Sequence, residues 1–148
     1  MANSTQYAKT VAASPSKIST TELHGRVRVA YADFTAAGAQ ETINMFKLPD
    51  GARIIGGRVN HAALGSSTTL SIGHAAYTQA DGTVVALDVD EYKAAASSAS
   101  ATGSAVAATT ALGENSLVDA PDGLIVTATT AGANATGLIT VQMTYVLD

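Results

Sequence analysis

Gly137-Leu138-Ile139-Thr140-Val141-Gln142-Met143-Thr144-Tyr145-Val146-Leu147 is the stretch on which the fold turns. Ile139, Val141, Met143, Tyr145 and Leu147 fall on one side, and Thr140, Gln142 and Thr144 on the other. A period of two places successive side chains on opposite faces, so this is a half-buried β-strand. With a whole row of apolar side chains it is expected inside a sheet. Working backwards, Gly123 to Thr130 carries a second strand, and Ala131-Gly132-Ala133-Asn134 between them predicts a hairpin. Pro121-Asp122-Gly123 is a tight turn, since proline presets φ and glycine tolerates positive φ. The same words recur at Pro49-Asp50-Gly51, between strand signals at Thr42–Leu48 and Ala52–His61. Gly56-Gly57 inside the latter predicts a bulge or a close backbone approach.

The remaining segments follow the same rhythm. Arg26 to Tyr31 alternates, with Val27, Val29 and Tyr31 opposite Arg26 and Arg28. Thr68 to Ala75 sets Leu70, Ile72 and His74 against Thr69, Ser71 and Gly73. Asp81-Gly82 is a hairpin-type turn before a strand at Thr83–Val89. Asp90-Glu91-Tyr92-Lys93-Ala94-Ala95-Ala96 predicts a short helix capped by Asp90, with acids suiting the dipole and alanines the propensity. Ser97 to Thr110 is low-complexity, a flexible loop or a weak strand, and Asn115 to Asp119 is a short strand at best.

About seven or eight short strands with at most one short helix describe an all-β fold, an antiparallel β-sandwich that is jelly-roll-like. No βαβ rhythm is present. The expected organisation is an extended N-terminal arm over residues 1–24 and a single β-sandwich domain over 25–148. The expected core is Val27, Val29, Tyr31, Ile43, Met45, Leu70, Ile72, Leu124, Val126, Ile139, Val141, Met143 and Tyr145.

Composition bounds the function. The 148 residues suit one domain. Hydrophobic residues make up 47%, yet there is no Trp, and only 2 Phe and 5 Tyr, so the core is thin and aliphatic. Charged residues are 14%, against roughly 25% in ordinary globular chains. A surface of Ala, Ser, Thr and Gly suits a protein covered by partners in an assembly. The net charge of −4 without a basic run leaves no footprint for nucleic acid or anionic lipid. Cys is absent, which excludes disulfides and thiolate chemistry. The first residues lack the apolar run of a secretory signal, and no segment approaches the ~20 apolar residues of a membrane span. A soluble chain made in the cytoplasm is expected, with no nucleic-acid and no membrane partner.

The chemistry of sites is sparse. Of His24, His61 and His74, the last shares a face with Leu70 and Ile72 and reads as a packed histidine rather than a ligand. Asp88-Val89-Asp90-Glu91 is the only acidic cluster; it lacks the glycine and distal Glu of a calcium loop, so helix capping is preferred. No Ser sits in Gly-x-Ser-x-Gly, and Gly51 to Gly57 lacks the Gly-Lys-Ser/Thr ending of a phosphate loop. The chain is expected to be no enzyme, with no catalytic, cofactor-binding or metal-binding residues and no cofactor. Partner contacts are expected from Lys9 and Lys17, available to acidic patches, and from Tyr7 and Tyr92 on loops or ends. A sugar-binding β-sandwich, the competing class, would need such exposed aromatic rings.

Four segments resemble a known group. They are His24-Gly25-Arg26-Val27-Arg28-Val29, Met45-Phe46-Lys47-Leu48-Pro49-Asp50-Gly51-Ala52-Arg53, Leu64-Gly65-Ser66-Ser67-Thr68-Thr69-Leu70-Ser71-Ile72-Gly73, and Gly137 to Asp148, ending Tyr145-Val146-Leu147-Asp148. In order and wording these resemble the small capsid decoration, or cement, proteins of tailed bacteriophages. The stretch Ala94 to Thr110 is unusually rich in Ala and Ser for that pattern. The resemblance implies a β-sandwich or jelly roll on the virion's outer capsid surface. Its implied partners are the major capsid protein and itself, as a homodimer or homotrimer. A head-fibre, neck or tail component with the same fold is the nearest alternative.

Overall fold

The computed structural model describes residues 26–147. The closing strand organises it. β10 (Ala135–Leu147) lies between β1 (Arg26–Ala39) and β3 (Arg53–His61), and β8 (Thr102–Val106) pairs with the far side of β3. The second sheet runs β2 (Thr42–Leu48), β9 (Leu124–Ala131), β4 (Thr69–His74), β7 (Asp88–Ser97). Within each sheet every pairing is antiparallel. The orders β1-β10-β3-β8 and β2-β9-β4-β7 are those of an eight-stranded jelly roll, in which successive strands cross from one sheet to the other except at β4 to β7, which pair within one sheet. A small hairpin of β5 (Tyr77–Thr78) and β6 (Val84–Val85) is inserted between β4 and β7 and pairs only with itself.

The core fills the space between the sheets. Ile54, Val59, Ile139, Val141 and Met143 from the β1 sheet meet Leu48, Leu70, Ile72, Leu124 and Val126 from the β2 sheet, all buried. Ile43 is buried as expected, while Met45 and Tyr145 are half-buried against this cluster. His74 is buried, its Nδ1 2.9 Å from the Ala75 carbonyl oxygen and its ring edge-on to Tyr77 at 5.3 Å. The expected bulge is present: Thr144 pairs with Gly56 and Tyr145 with Ile54, so Ile55 is the extra residue. The two Pro-Asp-Gly turns lie together. The Ala120 amide donates to Asp50 Oδ1 at 2.8 Å, and Gly51 N–H donates to the Val118 carbonyl at 2.9 Å.

Three expectations are corrected. Val27, Val29 and Tyr31 are not core; they sit on the outer face of β1, because Val27 lies opposite Val146, Val29 opposite Thr144 and Tyr31 opposite Gln142. The core-facing side of β1 is Ala30, Ala32, Phe34 and Ala36, opposite Met143, Val141, Ile139 and Gly137. The Asp90–Ala96 segment is not a helix but part of β7, where pairing with β4 overrides alanine's propensity. The only described helical turn is a 3-10 turn at Thr110–Leu112. Finally, β9 and β10 are not a hairpin: the Gly132–Asn134 link carries the chain from one sheet to the other, so the strands face across the core. The low-complexity stretch does hold a strand, β8, and Leu117 makes a single bridge with Arg53.

Candidate partner-binding surface

Of the residues expected to meet a partner, Tyr7, Lys9 and Lys17 lie outside the described residues. Tyr92 is overturned as a contact: it is 3% exposed. Its ring lies 6.1 Å from that of His74, and burial pushes its phenol pKa up. The helix expected there would have presented Tyr92 at an end; as a strand, the segment turns it into the core. Asp88 Oδ1 accepts the Asp90 amide at 3.0 Å. That hydrogen bond to the charged form lowers the Asp88 pKa.

The surface that stands out was read from sequence as core. Val27, Val29 and Tyr31 are 62%, 61% and 58% exposed, in one row on a strand whose outer edge pairs with no other strand among the described residues. An unpaired apolar edge is an invitation to another chain, and natural proteins usually blunt it with charge, proline or a bulge. Here Arg26 and Arg28 flank the row; both are exposed and lie on the core-side face, opposite Leu147 and Tyr145. Ile55 and Leu138 add exposed apolar area on the same sheet.

A polar lattice continues this face. Register sets Tyr31 beside Gln142 and Arg58, and Asp33 beside Thr140 and Asn60. The Tyr31 hydroxyl donates to Asp33 Oδ2 at 2.5 Å, Thr140 Oγ1 donates to Asp33 Oδ1 at 2.7 Å, and Arg58 Nε donates to Asn60 Oδ1 at 2.9 Å. Accepting two hydrogen bonds favours the Asp33 carboxylate and lowers its pKa, while holding the phenol proton raises that of Tyr31. These bonds fix otherwise mobile side chains before any partner arrives, which lowers the ordering cost of binding.

Two hollows open at the surface, one beside this face and one elsewhere. One, of about 160 Å³, lies between Asn60, His61, Ala62, Leu138 and Thr140. The other, of about 260 Å³, lies between Lys47, Tyr77, Thr78, Ala120, Asp122 and Ile125. Both fall below the ~300 Å³ at which small-molecule pockets begin. Among the described residues no group of three or more His, Asp or Glu is arranged to hold a metal ion.

No family model matches the sequence, and no curated protein sequence matches it. Similar folds are found in three solved structures. They are the capsid of Ralstonia phage GP4 (TM-score 0.63, 20% identity, 84% of this chain and 86% of that one), the capsid asymmetric unit of cyanophage Pam1 (0.59, 20%, 84% and 86%) and the acidic stable capsid of Helicobacter pylori bacteriophage KHP30 (0.54, 18%, 82% and 87%). The likeness is one of fold. The shares covered on the two sides are nearly equal, so the matching chains are about the length of this one.

Proposed function

We propose that this chain is a structural protein of a tailed-bacteriophage particle that binds the outer surface of the capsid and stabilises it by bridging capsid subunits, as a decoration or cement protein does, with no catalytic step. The observation that carries the reading is the jelly roll itself, shared over most of both chains with chains of similar length in three phage-capsid structures. The exposed apolar row on β1 and the low surface charge agree with it, because both suit a surface covered in an assembly. Its partners in this reading are the major capsid protein and further copies of itself. Residues 1–24 form an arm laid along a neighbour, where Tyr7, Lys9 and Lys17 make contact. Such contacts are individually weak, and bridging makes them effective: once one site is held, the second binds at high effective concentration.

The test is copy number, by quantitative mass spectrometry on purified virions against the major capsid protein. A fixed, near-stoichiometric ratio is expected. A few copies per particle would move the chain to the neck, tail or fibres, and its absence from virions would overturn the virion reading. Deleting residues 1–24 tests the arm separately: capsid affinity falls while the β-body stays folded by far-UV circular dichroism. Unchanged affinity would remove the arm from the interface.

A further inference from the structure

The outer face of the β1 sheet changes character along its length. Its head is apolar, with Val27 and Val29, and from Tyr31 onward it is polar. Two successive cross-strand rows carry the polar half. One runs Tyr31, Gln142, Arg58 and Ala105, and the next Asp33, Thr140, Asn60 and Gly103. With strands ~4.8 Å apart and same-face residues ~6.8 Å apart along each, these positions cover roughly 7 by 14 Å. That footprint suits a sugar ring or two.

The patch is held ready for a ligand. The Tyr31 hydroxyl reaches Asp33, two residues further along the same face, so the phenol leans along the strand with a ring face open to solvent. Arg58 and Asn60, joined by their own hydrogen bond, extend toward β8. Gly103 makes room for them there: a Cβ at this position would collide with Asn60 Oδ1 and with the Arg58 guanidinium. This glycine lies within β8 and has no positive φ, so it serves no turn. What it provides is the space in which the two side chains lie flat.

Hydrogen-bonding capacity is left over. A carboxylate has about four acceptor positions and a guanidinium about five N–H donors. The described residues fill two of these on Asp33 and one on Arg58. Strong acceptors and strong donors therefore sit side by side. A dry protein surface laid over them would leave that capacity unmet, which is costly, and interface centres are depleted in charged residues. A phosphate or sulfate would face the Asp33 carboxylate. A hydroxyl both donates and accepts, so a molecule dense in hydroxyls meets both kinds of group at once. The apolar C–H face of a pyranose also matches an open phenol ring. The hollow of about 160 Å³ beside Asn60 and Thr140, with Leu138 and Ala62 in its wall, can seat a ring substituent.

We propose that the polar half of this face is a binding site for glycans built of uncharged hexopyranoses. Tyr31 stacks against a sugar ring, Asp33 accepts from its hydroxyls, and Arg58 and Asn60 donate to them. The bonds already made among these side chains lower the ordering cost of binding. The inference goes beyond the capsid reading and does not rest on it, because it concerns sugars and is tested on the isolated chain.

The labelled full chain is expected to bind neutral oligosaccharides on a glycan array that also carries uronate and sulfated sugars as counter-probes. Titration with the best-bound neutral oligosaccharide in soluble form then gives the affinity. Tyr31→Ala and Asp33→Ala each weaken it about tenfold or more, the loss expected for a stacking face or a hydrogen bond to a charged group. Tyr31→Phe, which keeps the ring, loses less. Gly103→Ala also weakens binding; it displaces only the ends of Arg58 and Asn60, so the fold is kept, as far-UV circular dichroism should show. Val84→Ser, on the β5–β6 hairpin, leaves the affinity unchanged. An array with no neutral oligosaccharide bound overturns the proposal. So does binding that survives both Tyr31→Ala and Gly103→Ala, or binding confined to uronate and sulfated sugars, which would make the patch an anion site. None of these results alters the copy number in virions, so the two readings fail separately.

Discussion

Gly73 lies on β4 where β7 crosses closest. A Cβ at this position would collide with the carbonyl of Asp88 and with Val89, both backbone and both fixed by the pairing of His74 with Asp88. Gly73→Ala must therefore push the two strands apart, and a cost of ~1–3 kcal/mol is expected, as for other overpacked sites. Denaturant unfolding reads it directly; an unchanged midpoint would show that β7 yields freely. Tyr31 offers a second test at this scale. Its phenol holds its proton above the usual range because the bond to Asp33 and the nearby charge favour the neutral form. An alkaline absorbance titration, taken as wild type minus Tyr31→Phe, should show the Tyr31 step fall toward the ordinary value in Asp33→Asn. The sign for Asp33 is opposite. Its folded pKa is lowered, so its ties to Tyr31 and Thr140 are complete above the ordinary carboxylate range and are lost as pH falls through the lowered value. The sequence made Tyr31 legible as one member of an alternating row. Nothing local says which face of a sheet is covered, so its exposure was not.

On β1 that ambiguity has a physical source. Both faces of Arg26–Ala39 look plausible as core: one has Val27, Val29 and Tyr31, the other Ala30, Ala32, Phe34 and Ala36. Register with β10 settles the choice, because Ile139, Val141 and Met143 lie opposite the second set. A paired substitution tests this phase. Val29→Thr should change stability by no more than ~0.5 kcal/mol, as exposed positions do. Val141→Thr, which buries a hydroxyl among apolar side chains, should cost ~1–3 kcal/mol. Equal costs would mean that the outer face of β1 is covered in the isolated chain. The misread of β7 has a different origin. Leu70 pairs with Ala96 but Ile72 with Lys93, and His74 with Asp88, so two bulges interrupt the strand and erase the period of two. What remained locally was alanine and acid, the vocabulary of a helix start. The β9–β10 link failed as a hairpin because a short Gly-containing loop can equally join strands of facing sheets. By contrast β10, β4, the two Pro-Asp-Gly turns and the Gly56-Gly57 bulge were legible, each carrying its own period or turn chemistry.

At the scale of the whole molecule, the composition and the architecture support one argument. A chain with no Trp and two Phe fills its sandwich with Val, Ile, Leu and Ala, so the isolated body has little stability to spare. It nevertheless leaves Val27, Val29, Tyr31, Val84 and Leu87 in solvent, apolar area that a self-sufficient monomer would have buried or replaced. The low charge content was visible in the sequence; that Arg28 and Arg58, so distant in the chain, belong to one sheet was not, because it follows only once the jelly-roll crossings are made. If association covers these patches, it binds the folded state alone and stabilises it by mass action. The thermal midpoint should then rise with protein concentration. Differential scanning calorimetry over a hundredfold or so in concentration is a sufficient range, since about 2.7 kcal/mol is gained at a hundred times the dissociation constant. A midpoint that stays level with concentration would make the single sandwich the unit of stability. The exposed rows would then have to be covered by a different chain, with the capsid surface the first to try.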